Sequence, residues 1–288
     1  MKDLIGSVAV GVGAGVPVTS AAQGPSLVPW PGKVREFFPG VLGAGVGIGL
    51  AVGSQVSQLR GLRALAAGVG VIGVSAVGYV VAKNKLGELE ADNARIDECF
   101  SVAPTNTHLS GSAHSAVDYA LLGREGARFI NSVTTLAHAE AVGVARTHEP
   151  IRVFVSIANA DSITSRVSLA MSELIRNKAF DREYLLIQAP AGSGYANSTP
   201  VDVLELLSGG DCATVSVSYG LLPSFLSLTR ARLAGETQLE LLNAIEHELV
   251  GRRNKGKHVP KILFYGESLG ARVQQFAIPL GSSDLDKY

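Results

Sequence analysis

The chain lacks an excess of charge of either sign. Its 25 basic and 25 acidic residues cancel, so there is no electrostatic case for nucleic acid as a partner. It has only two cysteines, Cys99 and Cys212, too few for a disulfide-built scaffold and without metal-ligand spacing; both are expected to be free, buried thiols. Its six histidines (108, 114, 138, 148, 247, 258) form neither HExxH nor HxH, so the sequence supports no metal site and implies no cofactor. Charge of any kind is scarce, at 17% of residues against 47% hydrophobic.

The apolar excess is concentrated in the first ninety residues. Leu4 to Gly32, Phe37 to Leu59 and Ala64 to Ala82 carry no charge. The second and third runs reach about 19 residues or more, enough to cross roughly 30 Å of hydrocarbon as helix. The first is broken by Pro17 and then by Pro25, Pro29 and Pro31, which makes it the weakest span. A signal peptide is its rival reading, although Gly11, Gly13 and Gly15 suit an apolar signal core poorly. VLGAGVGIGLAVG (41–53) fails as a dinucleotide loop, because Gly47 and Gly49 are followed by Val52 where the third glycine belongs. Gly43, Gly47, Gly49 and Gly53 instead recur at four-residue spacing. That brings small residues to one helix face and favours close helix–helix association in lipid. Residues 1–90 are therefore expected to hold two or three transmembrane helices, with membrane lipid as partner and the bacterial cell membrane as location. Lys33, Arg35, Arg60, Arg63, Lys83 and Lys85 flank the runs evenly and do not fix an orientation.

Residues 91–120 read as linker and loop, ending in the polar stretch TNTHLSGSAHS. From residue 121 onward, strands alternate with helices. IRVFVSI (151–157), EYLLIQAP (183–190), CATVSVSYG (212–220) and PKILFYG (260–266) are expected strands. Residues 123–143 read as a loop entering a helix. A helix capped by Asp161 or Ser162 should bury Val167, Ala170, Met171, Leu174 and Ile175. Residues 201–210 form a short helix, and 229–250 a long one burying Leu239, Leu242, Ile245 and Leu249. The expected fold class is α/β, a mostly parallel sheet with helices on both faces.

Chemistry concentrates at the end of the last strand. Gly266-Glu267-Ser268-Leu269-Gly270 matches G-x-S-x-G and stands where that motif requires, between a strand and a helix. There, glycines admit a sharp turn, and the serine hydroxyl projects over a helix N-terminus that can stabilise negative charge. Ser268 is the candidate nucleophile; the alternative is an ordinary turn whose serine caps the helix. Leu269 N–H is one candidate oxyanion donor. The glycine-rich loop two strands upstream offers others at Gly192, Ser193, Gly194 and Tyr195, unless it is a plain Gly-Ser turn. Glu267 has no assigned catalytic role.

The blocks LSGSAHSAVDYALLGREGARFINS, IRVFVSIANADSITSRVSLAMSEL, FDREYLLIQAPAGSGYANSTPVDVLELLSGGDCATVSVSYGLLPSFLSL and LFYGESLGA resemble, in that order, a bacterial membrane-anchored α/β-hydrolase family. The resemblance covers most of residues 100–280. It implies an esterase-like serine hydrolase acting on a small ester-like substrate, with Ser268 as nucleophile. It also implies an acid and a histidine further along the chain. Asp284 and Asp286 follow Ser268 but no histidine does, so residues 121–288 read as a truncated hydrolase domain of weak or no activity. The rival class is a degenerate, non-enzymatic membrane protein or interaction module. His148, His247 and His258 are expected at the sheet edge opposite Ser268, while His108 and His114 lie in a loop that could reach the site; His138 is unplaced.

Overall fold

The computed structural model describes residues 83–222 and 231–278. The charge-free runs with their glycine faces, and Asp284 and Asp286, lie outside the described residues. The chain divides into two compact units, Met1–Lys85 and Leu86–Tyr288. Among the described residues no helix is long and apolar enough to cross a membrane.

The second unit carries a four-stranded, all-parallel sheet built from β1 (Ile151–Val155), β2 (Tyr184–Ala189), β3 (Cys212–Val217) and β4 (Lys261–Gly266). The spatial order is β1-β3-β2-β4. Helices α1 (Gly123–Asn131) and α2 (Leu136–Ala141) precede the sheet. Then α3 (Ile163–Arg176), α4 (Ser198–Leu207) and α5 (Ala231–Asn254) join successive strands, and α6 (Leu269–Ala277) follows β4. All four expected strands form. The segment 123–143, expected as a loop entering one helix, holds two helices separated near Thr134, whose N–H and hydroxyl both donate to the Glu205 carboxylate at 2.8 and 2.7 Å.

Strand order dictates where the helices go. The chain steps forward from β1 to β2, back to β3, and forward again to β4. Right-handed crossovers put α3 and α5 on one face and α4 on the other. The contacts agree: α3 packs on α5 and α5 on α6, whereas α1 lies against β1 and α4 against β3. Ser162 caps α3, its side chain accepting from Ser165 N–H. Two stripe positions differ from expectation. Ile175 is exposed while Glu173 is buried, because the Glu173 carboxylate accepts hydrogen bonds from Ser115, Ala116 and Arg176. Leu239 is exposed and Leu241 is buried with Leu242, Ile245 and Leu249, a pattern that keeps the 3–4 residue spacing. Both cysteines are free, but only Cys212 is buried; Cys99 is exposed. Burial pushes the Cys212 thiol up to about 12, so it is an inert thiol.

The face carrying Arg152 and Phe154 holds a buried ionic cluster. Arg152 is fully buried, donates to Glu205 (2.6 Å), Phe129 O (2.7 Å), Ser132 Oγ (2.8 Å) and Asp202, and lies 5.0 Å from the Phe129 ring. Removing one partner strands the other charge in the core. Arg152→Ala should destabilise the domain by about 3–5 kcal/mol in chemical denaturation.

His108 does not reach the strand ends where Ser268 lies. Its carbonyl accepts from Arg152 N–H, and Leu109 bridges to Arg152 at the start of β1. Burial, then the Arg182 charge, lowers the His108 pKa below its ordinary value of 6.5. The folded state therefore favours the neutral ring. Its contribution is intact above the unfolded pKa and is lost as pH falls through the lower folded one. Denaturation midpoints should drop on acidification below about pH 6.5, and His108→Gln should flatten that dependence.

Candidate active site

β2 and β4 are neighbours, yet the helices that follow them leave for opposite faces. α4 goes to one side, while α6 packs with α5 on the other. Such a divergence opens a crevice outside the carboxyl ends of the two strands. Ser268 and the 190–197 loop both lie there.

The turn after β4 is tightly constrained. Ser268 has φ 54° and ψ −116°; with Lys178 it is one of two non-glycine residues at positive φ among the described residues. This conformation costs about 1–3 kcal/mol and persists only where its surroundings enforce it. The enforcing contacts are backbone to backbone. A Cβ on Gly266 would sit 2.5 Å from the Gly270 carbonyl, and one on Gly270 would sit 2.3 Å from Ala189 O on β2. Only glycine at both positions lets strand, turn and helix close together. Gly270 N–H then donates to Glu267 O at 2.8 Å.

Ser268 occupies the N-cap position of α6, but its side chain makes no capping bond and is exposed. That weighs against a serine serving merely as a helix cap. Leu269 is buried, and its N–H, at the first helical position, has no intrahelical acceptor.

The 190–197 loop stands beside this turn. Ala191 N–H donates to Tyr195 O (2.8 Å) and Gly194 N–H to Ala191 O (2.9 Å). Gly194 N–H is therefore committed within the loop's own turn, which leaves the Ser193 and Tyr195 N–H groups out of its bonding. Gly192 and Gly194 are buried, Ser193 partly so, and Tyr195 is 38% exposed. Gly194 has φ +84°, and a Cβ there would meet Ser218 Oγ at 2.9 Å. Burial, then the nearby Glu267 charge, raises the Tyr195 hydroxyl pKa.

Three amides missed in the sequence hold the crevice together. Gln274 Nε2 on α6 donates to Ile187 O (2.8 Å) and Tyr265 O (3.0 Å), joining the ends of β2 and β4. Gln188 Nε2 donates to Asn197 O at 2.9 Å, and Asn197 Nδ2 donates to the Glu267 carboxylate at 2.7 Å. A lone Asn or Gln carries no sequence signal of this kind, because its partners are set by strand register.

The histidines lie elsewhere. His258 precedes β4 and its ring bonds Arg182 O at 2.9 Å; His148 precedes β1 and bonds Thr147. His247 is exposed late in α5. His138 forms a capping box with Thr135, next to Thr134 and the Glu205 cluster. His114 is exposed, and its neighbour Ser115 bonds Glu173 near the end of α3. These attachments belong to the amino-terminal ends of the strands. A six-residue strand separates the two edges by roughly 17–20 Å. The loop holding His108 and His114 is attached away from Ser268: Leu109 is tied to Arg152 on β1, which β3 and β2 separate from β4, and Ser115 and Ala116 are tied to Glu173 late in α3. Among the described residues there is no group of acidic, histidine and cysteine side chains able to hold a metal ion.

A family model described as the alpha/beta-hydrolase family matches residues 151–285. That span takes in all four strands and the G-x-S-x-G turn, and it supports a hydrolase-type fold for this part of the chain. No curated protein and no solved structure matches the chain.

The turn's strain is measurable. Ser268→Gly relieves a positive φ at an entropic cost of about 0.5–1 kcal/mol, so it should be more stable than Ser268→Ala by about 1 kcal/mol. Gly270→Ala, which drives a methyl into Ala189 O, should lose about 1–3 kcal/mol or more in the same denaturation series.

Proposed function

We propose that the domain is of serine-hydrolase lineage, directed at ester-like bonds, with Ser268 as its nucleophile. The observation that carries this reading is an uncapped, exposed serine held at φ 54° and ψ −116° above the crevice between β2 and β4. In this reading Ser268 Oγ attacks a carbonyl carbon, and the carbonyl oxygen gathers negative charge. Leu269 N–H receives that charge at the helix N-terminus, with Ser193 and Tyr195 N–H of the facing loop as the second source of donors. The serine proton needs an acceptor within about 3 Å. Among the described residues no histidine is attached near that crevice, and in this reading attack by Ser268 without such a base is slow. Oxyanion donors alone sustain a residual rate.

A fluorophosphonate probe on the full chain tests the assignment. Slow labelling that disappears in Ser268→Ala is expected. Fast labelling would show that a base does reach Ser268, and labelling that survives Ser268→Ala would overturn the nucleophile.

The membrane attachment proposed for residues 1–82 rests on the charge-free runs. The full chain should stay with the membrane pellet through alkaline carbonate and leave it only in detergent; release by carbonate would refute the attachment.

The second reading, a non-enzymatic interaction module, is favoured by one observation. Ile262 to Gly266 of β4 are only partly buried, whereas β1 and β3 are buried throughout, and among the described residues no strand pairs with the outer side of β4. An open edge of this kind accepts a further strand.

A further inference from the structure

Glu267 sets a carboxylate beside the residue proposed to attack. Negative charge there opposes an oxyanion forming nearby, so the site gains nothing from it electrostatically. The hydrogen bonds show where that charge is directed. Glu267 Oε2 accepts from Asn197 Nδ2 at 2.7 Å, a short, charge-assisted bond. Asn197 cannot easily turn away, because its side-chain oxygen and its carbonyl are occupied. Its Oδ1 accepts from Thr199 N–H at 3.0 Å as the N-cap of α4, and its carbonyl accepts from Gln188 Nε2 at 2.9 Å. Gln188 is itself 1% exposed on β2. A continuous line of bonds therefore runs from the sheet interior through Gln188 and Asn197 to Glu267, one residue before Ser268. Asn197 closes the loop that carries Ser193 and Tyr195, and the Glu267 charge is felt at the Tyr195 hydroxyl.

We infer that Glu267 is a positioning residue: its bond to Asn197 clamps the 190–197 loop against the Ser268 turn and sets the separation between the serine hydroxyl and the loop's N–H groups. The inference rests on the nucleophile reading of Ser268 and adds to it the device that aligns the two halves of the crevice. Gly266 and Gly270 close the turn through backbone contacts, but they do not reach the outer part of the loop; the Glu267–Asn197 bond does.

The test uses the full chain in detergent, with two readouts: the rate of fluorophosphonate labelling at Ser268, and hydrogen exchange of the 191–196 amides. Glu267→Ala should slow labelling by about tenfold or more and speed exchange in 191–196, with the melting temperature of the domain little changed. Glu267→Gln keeps an oxygen that accepts from Asn197 Nδ2 and should restore both readouts. Asn197→Asp sets two carboxylates against each other. Its labelling relative to the parent chain should be low at neutral pH and recover as acidification protonates one of the pair, a pH profile that a purely structural role would not produce. Unchanged labelling in a folded Glu267→Ala chain, or failure of Glu267→Gln to rescue, would overturn the inference. If the parent chain is not labelled at all, the nucleophile reading fails by itself. The exchange readout then decides the clamp: unaltered protection of 191–196 in Glu267→Ala refutes it.

Discussion

Everything chemical in this domain depends on how closely three backbones meet at the end of β4. Gly266 lies against the Gly270 carbonyl, and Gly270 against Ala189 O on the adjacent strand. No side chain fits either gap. The chain must turn between them, and the residue at the apex, Ser268, is forced to a positive φ that serine would not otherwise adopt. The strain is maintained by the sheet: β2 and β4 are held parallel and in register from Tyr184↔Lys261 to Ala189↔Gly266, and Gln274 fastens their carbonyl ends from the helix side.

The sheet separates two kinds of polar chemistry. At the amino-terminal ends of the strands, charges are paired and satisfied. Arg152 of β1, bonded to Glu205, Asp202 and Phe129 O, fixes α4 and α1 to the sheet, while Glu173, bonded to Arg176, Ser115 Oγ and Ala116 N–H, ties α3 to the loop before α1. His148 and His258 precede their strands on that side, where the His258 ring bonds Arg182 O and the His148 ring Thr147. At the carboxyl ends the groups are mostly small or amidic, glycine backbones and the side chains of Gln188, Asn197 and Gln274, with the Glu267 carboxylate and an exposed hydroxyl among them. The first arrangement stabilises; the second leaves donors and a hydroxyl facing a crevice. The divergence of α4 and α6 to opposite faces is what creates that crevice, and it follows from a strand order that steps forward, back and forward again.

Much of this was legible in the residues. β-branched runs gave the four strands, apolar periodicity gave the long helices, and G-x-S-x-G between a strand and a helix marked the turn. The misreadings have local causes. Glu173 is buried in place of Ile175 because a carboxylate accepting several hydrogen bonds can be satisfied inside, which hydropathy does not register. A helix starts at Gly123, where a loop is expected, and ends before Thr134, whose donors are drawn to Glu205, 71 residues away in the chain. The loop holding His108 and His114 reads as free to reach Ser268, but its bridge from Leu109 to Arg152 ties it to β1, across the sheet from β4, and its bonds to Glu173 hold Ser115 and Ala116 near the end of α3.

What the sequence determined alone is what short-range physics governs: where strands and helices occur, and that a serine between two glycines ends the last strand. Tertiary structure alone decided which strand lies beside β4, and hence which loop faces Ser268. It also decided that Asn197 meets Glu267 across 70 residues and that His148 and His258 are bonded before the strands, at the edge away from Ser268. Those outcomes depend on strand order and crossover hand, which act between distant segments and leave no periodic trace in any one of them.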